Sequence, residues 1–120
     1  MHVDRHLPLT PVVLEIALAL AAGERHGYEI MQDVERRTSG QIVLHPGTLY
    51  RALGRLLDQG FIEELDERRS PEDDERRRYY RLSAFGRRVL AAELLRLRAL
   101  VRLGEARRVI PPETRAPEPA

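Results

Sequence analysis

Apolar residues recur in this chain at helical spacing in four stretches and at a looser, strand-like spacing in two. The clearest stretch is Pro46 to Gln59. At roughly 100° per residue, Leu49, Leu53, Leu56 and Leu57 fall on one side with Tyr50 at its edge, and Thr48, Arg51, Ala52 and Arg55 fall on the other. Pro46 suits a first helical turn, where its missing N–H has no partner to lose, and Gly60 supplies a left-handed stop.

The flanking stretches follow the same logic. Thr10-Pro11 reads as an N-cap and a first-turn proline, and a run apolar nearly all round apart from Glu15 carries a first helix to Gly23. Such a helix needs cover on two sides, one from its own domain and one from a second subunit. His26-Gly27-Tyr28 opens a second helix to about Thr38, with Tyr28, Met31 and Val34 at helical spacing, and Ser39-Gly40 ends it. Gln41 to Leu44 is short, apolar and β-leaning. Residues 61–67 have strand composition with imperfect alternation. A polar loop follows over 68–75, with Ser70-Pro71 and four consecutive acids, Glu72 to Glu75. Arg76 to Leu82 reads as a second strand, with Arg78, Tyr80 and Leu82 on one face and Arg77, Tyr79 and Arg81 on the other.

Ser83 is placed to cap a long final helix to about Arg108. Leu90, Leu94, Leu97 and Val101 form one apolar stripe along it, and Ala92, Leu95, Ala99 and Leu103 form another. Two stripes exceed what a small domain covers, so the excess points to a second chain. Residues 111–120 hold four prolines among charged and small residues, the composition of a disordered tail. The expected organisation is an arm over 1–8, a winged helix domain over 9–82, a C-terminal dimerisation helix over 83–108 and a tail over 109–120. The fold class is mainly α with a small β-hairpin wing, a winged helix-turn-helix.

Composition narrows the function. A chain of 120 residues holds one domain. It has no cysteine, hence no thiol nucleophile and no thiolate metal site. His2 and His6 have helical spacing but no third ligand nearby, so no metal or cofactor is expected. No Ser, Cys or carboxylate arrangement accompanies His26, which reads as a helix-start residue, and no enzyme is expected. The longest apolar run, Val12 to Ala22, is too short to span a bilayer, and the N-terminus does not read as a signal peptide; a cytoplasmic chain without a membrane partner is expected. The net charge is only +1, and all 20 basic residues are arginine, so any phosphate contact would use a guanidinium.

Charge placement then suggests a partner. The outer face of the central helix is small or basic, which lets a backbone approach and lets Arg51 and Arg55 grip phosphate or a guanine edge. An ordinary solvated helix can carry two arginines as well; the neighbouring helix and hairpin favour DNA. A single helix in one groove reads too few base pairs to find a genomic site, so two copies on a palindromic duplex are expected.

The chain also resembles the PadR-like family of transcriptional regulators. The resemblance is carried by His26-Gly27-Tyr28-Glu29-Ile30, Pro46-Gly47-Thr48-Leu49-Tyr50, Leu53, Leu56, Gly60-Phe61-Ile62, Arg78-Tyr79-Tyr80-Arg81-Leu82-Ser83 and Gly86, over roughly residues 9–104. It implies a homodimeric repressor that reads a pseudo-palindromic operator, in a family where some members answer to small aromatic effectors bound near the dimer interface. The DNA-contacting set expected on these grounds is Thr48, Arg51, Arg55 and Tyr28 with Arg76, Arg77 and Arg78 of the wing; the dimer set is Leu90, Leu94, Leu97 and Val101. One departure stands out. The wing of the family is rich in Gly, Pro and basic residues, whereas this loop carries Glu72-Asp73-Asp74-Glu75, which phosphate would repel. A winged helix that binds another protein, not DNA, is the alternative reading.

Overall fold

A computed structural model describes residues 2–66 and 78–113. After a short 3-10 turn, Val3–His6, the elements are α1 (Pro11–Ala21), β1 (Arg25–His26), α2 (Gly27–Arg37), α3 (Pro46–Asp58), β2 (Ile62–Asp66), β3 (Arg78–Leu82) and α4 (Ala84–Ala106). The acidic wing tip, Arg76, Arg77 and the tail from residue 114 lie outside the described residues.

The helix ends lie where their sequence signals put them. The Thr10 hydroxyl accepts the Val13 N–H at 3.3 Å with Pro11 in the first turn. His26 and Glu29 form a reciprocal cap on α2: His26 Nδ1 accepts the Glu29 N–H at 3.3 Å, and Glu29 Oε1 accepts the His26 N–H at 3.1 Å. Ser83 caps α4 by accepting the Gly86 N–H at 2.9 Å. Gly60, at φ 76°, takes the left-handed position after α3.

The core gathers Ile16 and Leu20 of α1, Ile30 and Val34 of α2, and Leu49, Leu53 and Leu56 of α3. Phe61, Ile62, Tyr80, Phe85 and Val89 close it from the sheet and from α4. Glu15, the polar break in α1, is accounted for by α2. Arg37 Nη1 lies 3.5 Å from the Glu15 carboxylate and its Nη2 donates to the Glu15 backbone carbonyl at 3.1 Å, while its Nε bonds Asp33 Oδ2 at 2.7 Å. Burial alone would raise the Asp33 carboxyl, but the Arg37 hydrogen bond and the charges of Arg37, Arg25 and Arg36 outweigh it and hold it below the usual range.

The sheet differs from the expected two-stranded hairpin. It has three antiparallel strands in the order β1-β3-β2, because Arg25 and His26 pair with Tyr80 and Tyr79. That pairing buries Tyr79, on the face expected to be polar, under the His26 ring, with centroids 5.4 Å apart. The β-leaning Gln41 to Leu44 forms no strand. The Thr38 hydroxyl takes up the Ile42 N–H at 3.1 Å, and Leu44 turns into the core.

The final helix splits into two halves. Phe85, Gly86, Val89, Leu90 and Glu93 are buried, and no residue of α4 beyond Glu93 is. Leu90 therefore does not belong to the outward stripe expected of it. At 5% exposure it is part of the chain's own core, because this first half of α4 packs on α1 and β3. Leu94 and Val101 remain exposed and Leu97 is half-buried. The overshoot stretches the molecule to a radius of gyration of 17.0 Å, against roughly 14 Å for a compact chain of this length.

The N-terminal arm is tied to α4 by a buried charge. Glu93, 1% exposed, accepts the Leu9 N–H at 2.5 Å through Oε2 and the Arg96 Nε–H at 2.5 Å through Oε1. The Arg96 hydrogen bond, opposed by burial and helped by the Leu9 N–H, holds the carboxyl below its ordinary range.

Candidate nucleic-acid interface

One side of α3 is fixed by packing and the other is not. Leu49, Leu53 and Leu56 are buried, and the opposite positions Thr48, Arg51 and Arg55 are exposed. Ala52, expected among the outward residues, is half-buried. It lies with Val12 and Val13 of α1 along a groove of about 350 Å³ whose other wall is Thr48, Arg51 and Arg55. The three residues expected to face a partner are thus brought together on one surface.

Their charge is uncommitted. Arg36, Arg37, Arg78, Arg81 and Arg96 all have a carboxylate partner. Among the described residues, neither Arg51 nor Arg55 forms an ion pair. A guanidinium held at a rigid helix surface without an internal carboxylate can neutralise an external phosphate or fork onto a base edge.

Two glycines stand on the open side of α3, Gly47 of the Pro46-to-Tyr50 motif and Gly54, which no sequence motif singles out. Gly47 and Gly54 are exposed, and a Cβ on either would meet nothing within 4 Å among the described residues. Glycine inside a helix costs about 0.5–1 kcal/mol relative to alanine, and no internal packing at Gly54 offsets it. Their spacing of seven, two helical turns, was the available signal: it keeps one strip of α3 free of side-chain bulk.

At the start of α2, Tyr28 is 61% exposed and stacks on the His26 ring, with centroids 6.5 Å apart. It is not part of the core stripe with Met31 and Val34. Tyr50, read as a core-edge residue, is 52% exposed, and its hydroxyl lies over Gly27, 2.6 Å from where a Cβ would stand. The two tyrosines flank the N-terminus of α2 beside α3, and Tyr50 is an interface candidate that its apolar spacing concealed.

The wing is less open. Arg78 is paired with Glu64 at 3.2 Å. Arg81 bonds Glu63 at 2.8 Å and also lies 3.8 Å from Glu24. His6, considered with His2 as a metal ligand, packs edge-on against Phe61 and Phe85 at 4.8 and 5.6 Å. Among the described residues there is no group of three His, Asp or Glu placed to hold a metal, and no helix is long and apolar enough to cross a membrane.

A three-helix core with a flanking antiparallel sheet, α3 presented outward and a long helix following the wing, is a winged helix-turn-helix domain. Residues 14–92 match the model of the transcriptional regulator PadR-like family, and the chain belongs to that family. An uncharacterised protein of Lysinibacillus sphaericus is 34% identical over 68 residues. The match covers 57% of this chain and 61% of that protein's length. A transcriptional regulator from Clostridium thermocellum superposes with a TM-score of 0.66 at 26% identity, over 77% of this chain and 84% of the other. Bacillus subtilis PadR, solved in complex with operator DNA, superposes with a TM-score of 0.63 over 94% of this chain and 54% of its own. At 19% identity that last likeness is one of fold.

Proposed function

We propose that this chain is a transcriptional repressor that binds operator DNA as a homodimer, inserting α3 into the major groove. The observation that carries the reading is the outer face of α3, where Arg51 and Arg55, unpaired within the described chain, stand beside Thr48 on a surface thinned by Gly47 and Gly54. Family membership and the operator complex of Bacillus subtilis PadR support it.

In this reading Arg51 and Arg55 supply base-edge or phosphate bonds and Thr48 a short polar contact near the helix start. Tyr28 and Tyr50 reach the backbone from the flank. Arg78 joins Arg76 and Arg77 as a phosphate clamp only after exchanging Glu64 for phosphate, which makes the wing the weaker and more salt-sensitive contact. The dimer rests on the second half of α4. There the helix has left its domain while Leu94, Leu97 and Val101 continue the apolar stripe, and the half-buried Leu14 and Leu18 of α1 add to the same need for cover. A twofold pair would set two α3 helices about 34 Å apart, one turn of duplex.

An electrophoretic shift against the DNA upstream of the chain's own gene, with excess random duplex, tests this. A retarded band that survives the competitor is expected. Equal loss with and without the upstream sequence would remove the operator reading, and no shift at low salt would leave the protein-binding alternative.

A further inference from the structure

Beyond the domain, Leu94, Leu97, Val101 and Gly104 of α4 recur at alternating spacings of three and four, the repeat of a helix that pairs along its length with another. Gly104 breaks the run of large residues, and the chain repairs the gap itself. After α4 it reverses at Arg108, φ 59°, with the Val109 N–H bonded to the Gly104 carbonyl at 2.9 Å. Ile110 then folds to 3.8 Å from the point where a Gly104 side chain would begin. On one flank of this stripe stand Arg98 and Glu105; on the other stands Leu100, 52% exposed. Among the described residues neither Arg98 nor Glu105 forms an ion pair. Seven residues apart, two helical turns, they are too distant to pair along their own helix.

Resting on the reading of α4 as the dimer helix, we propose that two copies of the chain pair these helices antiparallel, and that Arg98 of each copy meets Glu105 of the second copy. In that register Leu97 faces Val101 of the second copy, and Leu94 faces the second copy's Gly104 with Ile110 folded over it. Side chains lean toward the N-terminus of their own helix, so Arg98 and Glu105 on opposed helices lean toward each other. On the other flank the two Leu100 side chains converge at the twofold axis. A parallel pair would set Leu100 of one copy against Glu105 of the other, apolar against charged. The two symmetric ion pairs thus favour self-pairing: a related helix with the same stripe but one sign of charge at both positions would replace one of the two attractive pairs by a like-charge pair.

The natural sequence has no cysteine, so engineered ones report orientation without ambiguity. Under mild oxidation, Leu100→Cys should give a disulfide-linked dimer and Leu94→Cys should stay unlinked; no link at Leu100→Cys, or a link at Leu94→Cys, overturns the antiparallel arrangement. Arg98→Glu or Glu105→Arg alone should weaken the dimer on the order of tenfold. Mixing the two variants should restore wild-type affinity as a heterodimer, because every cross-helix pair is then opposite in sign. Circular dichroism of each single variant should match wild type. Unchanged affinity in the single variants, or no recovery on mixing, overturns the ion pairs. A monomeric wild type at micromolar concentration would remove the dimer reading itself, whereas a dimer that links at Leu94→Cys removes only this orientation.

Discussion

A Cβ placed on Gly86 would lie 1.9 Å from the carbonyl oxygen of Phe61. That carbonyl also accepts the Ser83 N–H at 2.9 Å, and the Ser83 hydroxyl donates to the Gly60 carbonyl at 2.5 Å. The first turn of α4 is thereby locked to the end of α3, and backbone cannot retreat from backbone as a flexible side chain could. Gly86→Ala should destabilise the domain by at least about 1–3 kcal/mol, the usual cost of overpacking. Urea unfolding checks it; wild-type stability would mean that α4 does not dock at this distance.

Acid should weaken the junction between the N-terminal arm and α4. The Glu93 carboxyl is held below its ordinary range in the folded chain. Its contribution is therefore complete above the unfolded carboxylate value, about 4.3, and is lost as pH falls through the lower folded value. Asp33 acts in the same direction. Glu93→Gln should cost roughly 1–3 kcal/mol at neutral pH by breaking a charged hydrogen bond, and should lose less stability than wild type between neutral pH and pH values below about 4. Melting temperatures across that range decide it; parallel curves would contradict the assignment.

Leu53 and Gly54 are neighbours with opposite expectations. Leu53→Ala removes fully buried volume and should cost about 2–5 kcal/mol, without selectively altering DNA contact. Gly54→Ala should stabilise the isolated domain by roughly 0.5–1 kcal/mol and yet weaken operator binding, because it adds bulk to the cleared strip of α3. Thermal melts alongside DNA titrations separate the two. Unchanged operator binding by Gly54→Ala would show that the strip does not meet a partner.

Local signals carried much of the fold. Thr10-Pro11, His26 with Glu29, Pro46, Gly60 and Ser83 end or begin helices through bonds made within a few residues, so spacing alone exposes them. The rest depends on distant partners. Arg25 and His26 become a strand because β3 lies beside them, and Tyr79 is buried in a face shared with the His26 ring that this pairing brings against it. Leu90 and Leu94 look alike along the helix, but the domain ends between them. Glu93 gives no hint in the sequence that the Leu9 N–H, 84 residues away, needs it as an acceptor. In the candidate interface, the arginines of α3 were legible because charge opposite a leucine face needs an explanation. Gly54 and Tyr50 were not, since their meaning lies in what does not pack against them.

The claim on which the rest depends is that α3 reads DNA through Arg51 and Arg55. Fluorescence anisotropy of the upstream duplex, titrated with wild type, Arg51→Ala and Arg55→Ala at several salt concentrations, tests it most directly. Each substitution should weaken operator binding by about 1–3 kcal/mol where it contacts a base edge. Where it contacts phosphate, it should lower the salt slope by about one charge. The melting temperature should not change in either variant. Wild-type affinity and an unchanged salt slope in both would contradict the account.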